Sequence, residues 1–307
     1  MSIKIDWGTG NTDADSVKIY RATSPINLAN LPSELVTLSG SETSYIDATA
    51  ARNKVYHYVI AIAKGNDVVL SQNKAYGYFP DTGPGPTTLI RGDWTEGYFG
   101  TLTAAEFFSA AELVSATGIN ATANASMSTW CKFALDGKIV FIPMQSVCTD
   151  ASMSKIYLAG CVFGSDDNGN HPWKPNAIPG ASPTIQNKKV TKAGFTYAVR
   201  LPKGSTVPTN EYAAATIGET HMNSEWFRTM GRVFLNSSTL TTRPRCDDYL
   251  YTAGNSSNAH GYTLTQHYYN NSGYLVMFGT TTFDAMATGL IYNAAGYYWR
   301  PVLELVL

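Results

Sequence analysis

Tyr297-Tyr298-Trp299-Arg300-Pro301-Val302-Leu303-Glu304-Leu305-Val306-Leu307 closes the chain with an aromatic-basic-proline step that runs into an alternating strand. Chain ends usually fray because few contacts hold them. Here Val302, Leu303, Leu305 and Leu307 would stand in water unless the segment lay inside a sheet. The expectation is a buried final strand over about 297–306 that closes a domain. Trp299 and Arg300 at its start then serve architecture in place of touching a ligand.

The chain's 307 residues suffice for two domains of ordinary size. Hydrophobic residues make up 44%, enough for two cores, whereas charged residues make up only 15%, against roughly 25% in an average soluble protein. Ser, Thr, Asn, Gly and 19 Tyr take their place, as in all-β scaffolds and extracellular adhesins. The net charge is -1, and no run of Lys or Arg forms the stripe that phosphate neutralisation needs. No nucleic-acid partner is expected. Strand-like residues begin at Ile3 and no long apolar stretch follows, so neither a signal peptide nor membrane insertion is expected. Cys131, Cys148, Cys161 and Cys246 lack CxxC spacing and read as small buried thiols.

Residues 1–80 carry short alternating segments: Ile3 to Trp7, Ser16 to Tyr20, Thr43 to Asp47, Val55 to Ile62, Asp67 to Ser71 and Lys74 to Tyr78. Gly, Asn, Asp and Pro separate them, which predicts a β-sandwich. Asp81-Thr82-Gly83-Pro84-Gly85-Pro86 reads as a semi-rigid linker over 81–91, since consecutive Gly-Pro steps stop both helix and ladder. Residues 92–307 then read as a mixed α+β domain. Thr103-Ala104-Ala105-Glu106 has capping-box spacing and predicts a helix with Phe107, Ala111 and Val114 on one face and Gly118 at its end. Trp130 to Leu135, Asp136-Gly137-Lys138 and Ile139 to Pro143 predict a hairpin, with Asp-Gly as the turn. Short helices are expected at 151–159 and 223–230, and further strands at 194–201 and 273–279.

Motifs that carry chemistry are absent. Gly-x-Ser-x-Gly, His-Glu-x-x-His and the P-loop pattern do not occur. His57 falls in the sandwich, while His171, His221, His260 and His267 fall in apparent loops, so no catalytic residue, metal or cofactor is expected. Asp166-Asp167-Asn168-Gly169-Asn170 is the one calcium-like run, but it lacks an EF-hand's terminal Glu and reads first as a polar turn. Tyr, Asn and Ser crowd the tract 236–298. Asn255, Asn258, His260, Tyr262, Tyr268, Tyr269, Asn270 and Tyr292 are its candidate contact residues. Either they form a recognition surface of rigid rings and adaptable amides, or they furnish turns and pack joints.

Two resemblances organise these segments. Trp7, Lys18-Ile19-Tyr20-Arg21, Tyr45 with Asp47, and Tyr56-x-Tyr58-x-Ile60-x-Ile62 make residues 3–80 similar to a fibronectin type III domain, an Ig-like sandwich. The resemblance implies that Tyr56 is a corner tyrosine. That family has a strand before the tryptophan-bearing one, so this sheet is expected either to present an open edge or to have it covered. The second resemblance runs through Gly92-Asp93-Trp94-x-x-Gly97-Tyr98-Phe99-Gly100 and Trp130-x-Lys132-Phe133 with Asp136-Gly137-Lys138. It continues in Lys189-Val190-Thr191, Gly194-Phe195-Thr196-Tyr197-x-Val199-Arg200 and Ser224-Glu225-Trp226, and ends in Trp299-Arg300-Pro301-Val302-Leu303-Glu304. In order and spacing these resemble a domain of tailed-bacteriophage virion and tail-fibre proteins, although Tyr298 stands where those proteins often have Gly. A looser likeness links the region to C-type-lectin-like and formylglycine-enzyme-like folds.

What the resemblance implies is a virion structural or decoration protein, assembled in a host cytoplasm, with other virion proteins as partners and homo-oligomeric by default. A host surface glycan or protein is the expected target of an exposed domain. A dedicated glycan-binding tail protein is the alternative, and a capsule depolymerase stands third, because no acidic pair is patterned for glycoside cleavage.

Overall fold

The computed structural model describes residues 2–8, 13–169, 182–209, 211–233, 263–269, 274–279, 286–290 and 298–307. The chain is mainly β, with 41% of residues in strands against 11% in helices, and its several sheets form no closed barrel among the described residues. It divides into two compact units. The first comprises Met1–Thr82 with Asp93–Thr95 and Leu307, the second Gly83–Gly92 with Glu96–Val306.

In the first unit, β1 (Ile3–Asp6) pairs antiparallel with β4 (Ser44–Asp47). A second sheet runs β3 (Glu34–Ser39), β2 (Ser16–Ala22), β5 (Lys54–Lys64) and β6 (Asp67–Leu70), with β7 (Lys74–Tyr78) on the other half of β5. Alternation puts Ile3 and Ile5 of one sheet into a cluster with Val17, Ile19, Tyr58 and Ile60 of the other. The sequence pattern missed β3. Its Leu35, Val36 and Leu38 are only half-buried, because the strand lies at a sheet edge. Tyr56 accepts a hydrogen bond from Ala51 N at 3.1 Å and so ties the preceding loop to the strand. The buried Asp47 carboxylate accepts from Arg21 Nη1 and Tyr58 Oη, both at 2.7 Å, and from the Thr49 amide and hydroxyl. Four donors offset its loss of water. Trp7 donates its indole N–H to Glu42 O. Trp94 groups with this unit, its ring stacked on Phe79 at 4.2 Å. Gly77 is required beneath it, because a Cβ there would come within 2.3 Å of the indole.

The second unit is built on a sheet whose strands are β8 (Arg91–Gly92), β9 (Glu96–Thr103), β10 (Thr129–Leu135), β11 (Lys138–Pro143), β12 (Lys189–Lys192), β13 (Phe195–Arg200) and β17 (Val302–Val306), in the order β12-β13-β17-β11-β10-β9-β8. The closing strand therefore lies inside the sheet, hydrogen-bonded to β13 on one edge and β11 on the other. Leu303 and Leu305 face one side with their register partners Phe141 and Tyr197, while Val302 and Glu304 face the other. Leu307, expected inside, is exposed: it lies beyond the last paired residue, Val306. The first face is covered by Phe107 and Phe108, whose rings meet Trp130, Phe141 and Tyr197 edge-on or tilted. The second is covered by Trp226, Phe227 and Met230 with residues of a three-stranded sheet, β14 (Thr263–Tyr268), β15 (Tyr274–Phe278) and β16 (Met286–Leu290).

Local signals were kept or displaced for identifiable reasons. Leu135 and Lys138 pair across Asp136 and Gly137, both at positive φ (49° and 77°), as a tight hairpin turn requires. The Thr103–Glu106 box forms, with both reciprocal bonds made, but it closes only a turn. The helix α1 (Ala110–Thr117) starts at a second box, Ser109 with Glu112, and ends at Gly118 with φ 74°. The expected helix at 151–159 is α2 (Met153–Leu158). That at 223–230 is a helical run beginning at Glu225 whose middle, Phe227–Gly231, is a π-helical turn, and a further short helix, α3 (Glu219–Met222), precedes it.

The Gly-Pro run is more than a connector. Lys132, fully buried on β10, donates to the carbonyls of Gly83, Pro84 and Pro86 at 3.4, 2.9 and 2.7 Å. Phe99 and Phe141 lie 5.0 and 5.6 Å from its ammonium. An ammonium has three N–H donors and no acceptor, and three carbonyls match that number.

Leu303 is buried in the central strand. Leu303→Ala is expected to lower the unfolding free energy by about 2–5 kcal/mol, read by guanidinium denaturation with tryptophan fluorescence.

Candidate functional site

On the face of the sheet that carries Val302 and Glu304, the hairpin turn at Asp136, the loop after β13 and the residues around the π-helical turn surround a cleft of about 560 Å³. That lies within the roughly 300–1,000 Å³ of small-molecule sites. A hollow beside Glu96 holds only about 20 Å³, near the room one water needs.

The floor of the cleft is a buried charge cluster. Arg200, the last residue of β13, meets Glu225 with both forks, Nη1 to Oε2 at 2.7 Å and Nη2 to Oε1 at 2.6 Å. The same guanidinium reaches Glu304 Oε2 from Nε (3.2 Å) and Nη2 (3.0 Å), and Lys138 holds the other Glu304 oxygen at 2.6 Å. Burial alone would lift the Glu225 pKa. The Arg200 charge and hydrogen bonds outweigh burial and hold it below the ordinary carboxylate value. At the rim, Arg228 grips Asp136 in the same bidentate way, at 2.8 and 2.6 Å.

The loop 203–207 is fixed from below. The Lys203 amide donates to Glu225 Oε2 at 2.8 Å, and its carbonyl accepts from Trp226 N at 3.1 Å. His267, buried on β14, accepts from Gly204 N at Nδ1 (3.2 Å), so its proton sits on Nε2, which donates to Val207 O at 2.9 Å. Burial pushes the His267 pKa down to about 4. The side chains of Lys203 and Thr206 are left exposed, and Lys203 makes no ion pair among the described residues.

The residues expected to make contact are placed differently. Asn255, Asn258, His260, Tyr262, Asn270 and Tyr292 lie outside the described residues, as do His171 and Cys246. Tyr268 is the last residue of β14 and is buried, which takes its ring out of any displayed surface. Tyr269 is half-buried and packs edge-on against Tyr274. His221 and His267, read as loop residues, lie in α3 and β14, both buried. Asp167 spends one carboxylate oxygen on Ser165 Oγ and Gly169 N, as a polar turn does. Cys131, Cys148 and Cys161 are free and buried. No group of three potential metal ligands occurs among the described residues, and no described helix is long and apolar enough to cross a membrane.

Of the landmark residues, Trp7 and Trp94 are half-buried and the rest are core. Trp130, Trp226, Trp299 and Arg300 are fully buried. Trp130 donates to Phe108 O at 2.8 Å, and Arg300 donates to Thr263 Oγ1 and to Met144 O. Its guanidinium lies 5.8 Å from the centre of the Trp226 ring. Burial drops its pKa to about 10, still charged at neutral pH. Nothing in the sequence pattern marked Lys203 or Thr206 as cleft residues, since both sit in an unpatterned loop.

Two outcomes follow from the cluster. Glu225→Gln breaks a buried ion pair from one side, so a loss of about 3–5 kcal/mol is expected in chemical denaturation. His267 is neutral in the fold and binds protons more readily unfolded, so its contribution is complete above about pH 6.5 and is lost as pH falls toward about 4. Stability is expected to drop by about 2 kcal/mol between pH 7 and 4.5 from this group, and His267→Gln should flatten that part of the pH profile.

Compared with protein-family models, curated proteins and solved structures, the chain finds no match.

Proposed function

We propose that the chain is a structural component of a tailed-bacteriophage particle, a decoration or tail-associated protein. Its first unit is a fibronectin type III-like sandwich, and its second is a mixed α+β domain with the looser lectin-like resemblance. It docks to other virion proteins, as a homo-oligomer by default, and exposes a domain for attachment to a host surface. The observation that carries this reading is the fate of the spaced landmarks. Lys132, Arg200, Glu225, Trp226, Trp299 and Arg300 come from distant parts of the chain and are all buried in one unit, with the half-buried Glu304 paired to Arg200. Residues recurring in a family for the sake of its fold belong in such places, whereas residues recurring for chemistry belong at a surface. The corner bond of Tyr56 supports the sandwich assignment of the first unit in the same way.

The alternative, a dedicated glycan-binding tail protein, is favoured by the cleft. Glycoside cleavage is not favoured. It needs a carboxylic acid that keeps its proton near neutral pH, and Glu225, on the cleft floor, is held ionised by Arg200.

An antibody raised against the chain, gold-labelled and applied to purified particles, is expected to decorate one fixed position in electron micrographs. Chain found in the producing cells but missing from density-purified particles would overturn the virion reading.

A further inference from the structure

We propose that the cleft of the second unit binds a monoanionic saccharide unit through its carboxylate, with Lys203 as the charge partner. The proposal rests on the reading that this unit attaches to a host surface, and names the chemistry it would attach to.

The charge count sets the ligand's charge. Lys138, Arg200 and Arg228 line the cleft, and each already faces a carboxylate, Glu304, Glu225 and Asp136 respectively. Lys203 is the remaining lining cation, exposed and without an ion pair among the described residues. One ammonium with no directly paired carboxylate suits one negative charge. A phosphate dianion would bring its second charge toward Glu225 and Asp136 on the same walls, where like charges repel.

The walls set the rest. Thr206 and Asn223 offer a hydroxyl and an amide. Ser205 and Ser224 each accept one backbone N–H, from Val207 and Phe227, which leaves each hydroxyl proton to donate. Such walls suit a polyhydroxylated ligand and not an acyl chain. Val207 and Pro208 give a short apolar strip for the C–H side of a ring. The site is also largely pre-formed. The Lys203 backbone is held at both its N–H and its C=O, and His267 pins residues 204 and 207. Binding then has only one long side chain to order.

The test uses the full chain and isothermal titration with digalacturonic acid and N-acetylneuraminic acid. The methyl ester of digalacturonic acid and galactose 1-phosphate serve as comparisons. At least one of the two acids is expected to bind, with the ester and the phosphate weaker. Lys203→Ala should weaken the acid about tenfold or more, and Lys203→Glu should abolish binding. The exposed Lys54→Glu should change nothing. Circular dichroism checks that each variant is folded. The proposal is overturned if neither acid binds, if the ester or the phosphate binds as tightly as the acid, or if folded Lys203→Ala keeps wild-type affinity. Attachment of the same proteins to host cells is measured alongside. Attachment without acid-sugar binding defeats the cleft assignment alone. Acid-sugar binding without attachment defeats the host-surface reading alone.

Discussion

Glu304 is the constraint on which the second unit depends. It sits on the strand that two others pair with, and its two oxygens reach sideways to both neighbours, to Arg200 on β13 and Lys138 on β11. Arg200 passes the tie on to Glu225, just before Trp226 and the π-helical turn that cover that face. The buried charges of Arg200 and Glu225 are tolerable only because each has the other, since a lone buried ion costs several kcal/mol. The cluster therefore fixes which strands are neighbours and which segment roofs them. A hydrophobic substitute of equal volume could supply stability, but it would not discriminate among registers in that way.

The cleft exists because of the same cluster. Its floor is the Arg200–Glu225 pair, and its loop is held by Glu225 and His267 from beneath. Fold and site are thus two uses of one set of bonds. The core uses Trp130, Trp226, Trp299 and Arg300, while under the proposed function the exposed groups around the cleft would be the ones left for recognition. Such a separation would suit the proposed attachment role, since loops can vary over an unchanging frame.

Local chemistry made much of the fold readable. Asp136-Gly137 specifies its turn by positive φ alone, and Gly118 its helix end. The closing strand was readable because Val302, Leu303 and Leu305 had no other place to go. Errors arose where two local signals competed or where a signal was weak. Thr103–Glu106 and Ser109–Glu112 are both capping boxes, and only the second precedes residues free of the β9 strand end. β3 is a half-buried edge strand with little alternation to read. The cleft could not be read at all, because Asp136, Lys203, Asn223 and His267 are brought together only by tertiary structure. The Tyr and Asn tract stands out by composition, yet of its two described candidates Tyr268 is a core residue and Tyr269 is half-buried.

The Lys132 site has a consequence for how this sequence can change. Three main-chain oxygens surround the ammonium much as ether oxygens do in a crown-type host. Main-chain oxygens belong to every residue type, so the Gly-Pro segment meets this demand through its path and not through its side chains. Gly83 and Gly85 are tied to that path by φ values of 73° and 76°, while Pro84 and Pro86 contribute stiffness that other residues could supply in part. The burden of identity falls on the lysine. An arginine is too broad and planar for three converging carbonyls, and a neutral side chain would leave those carbonyls without donors. In a drifting sequence this segment could change its lettering while position 132 could not.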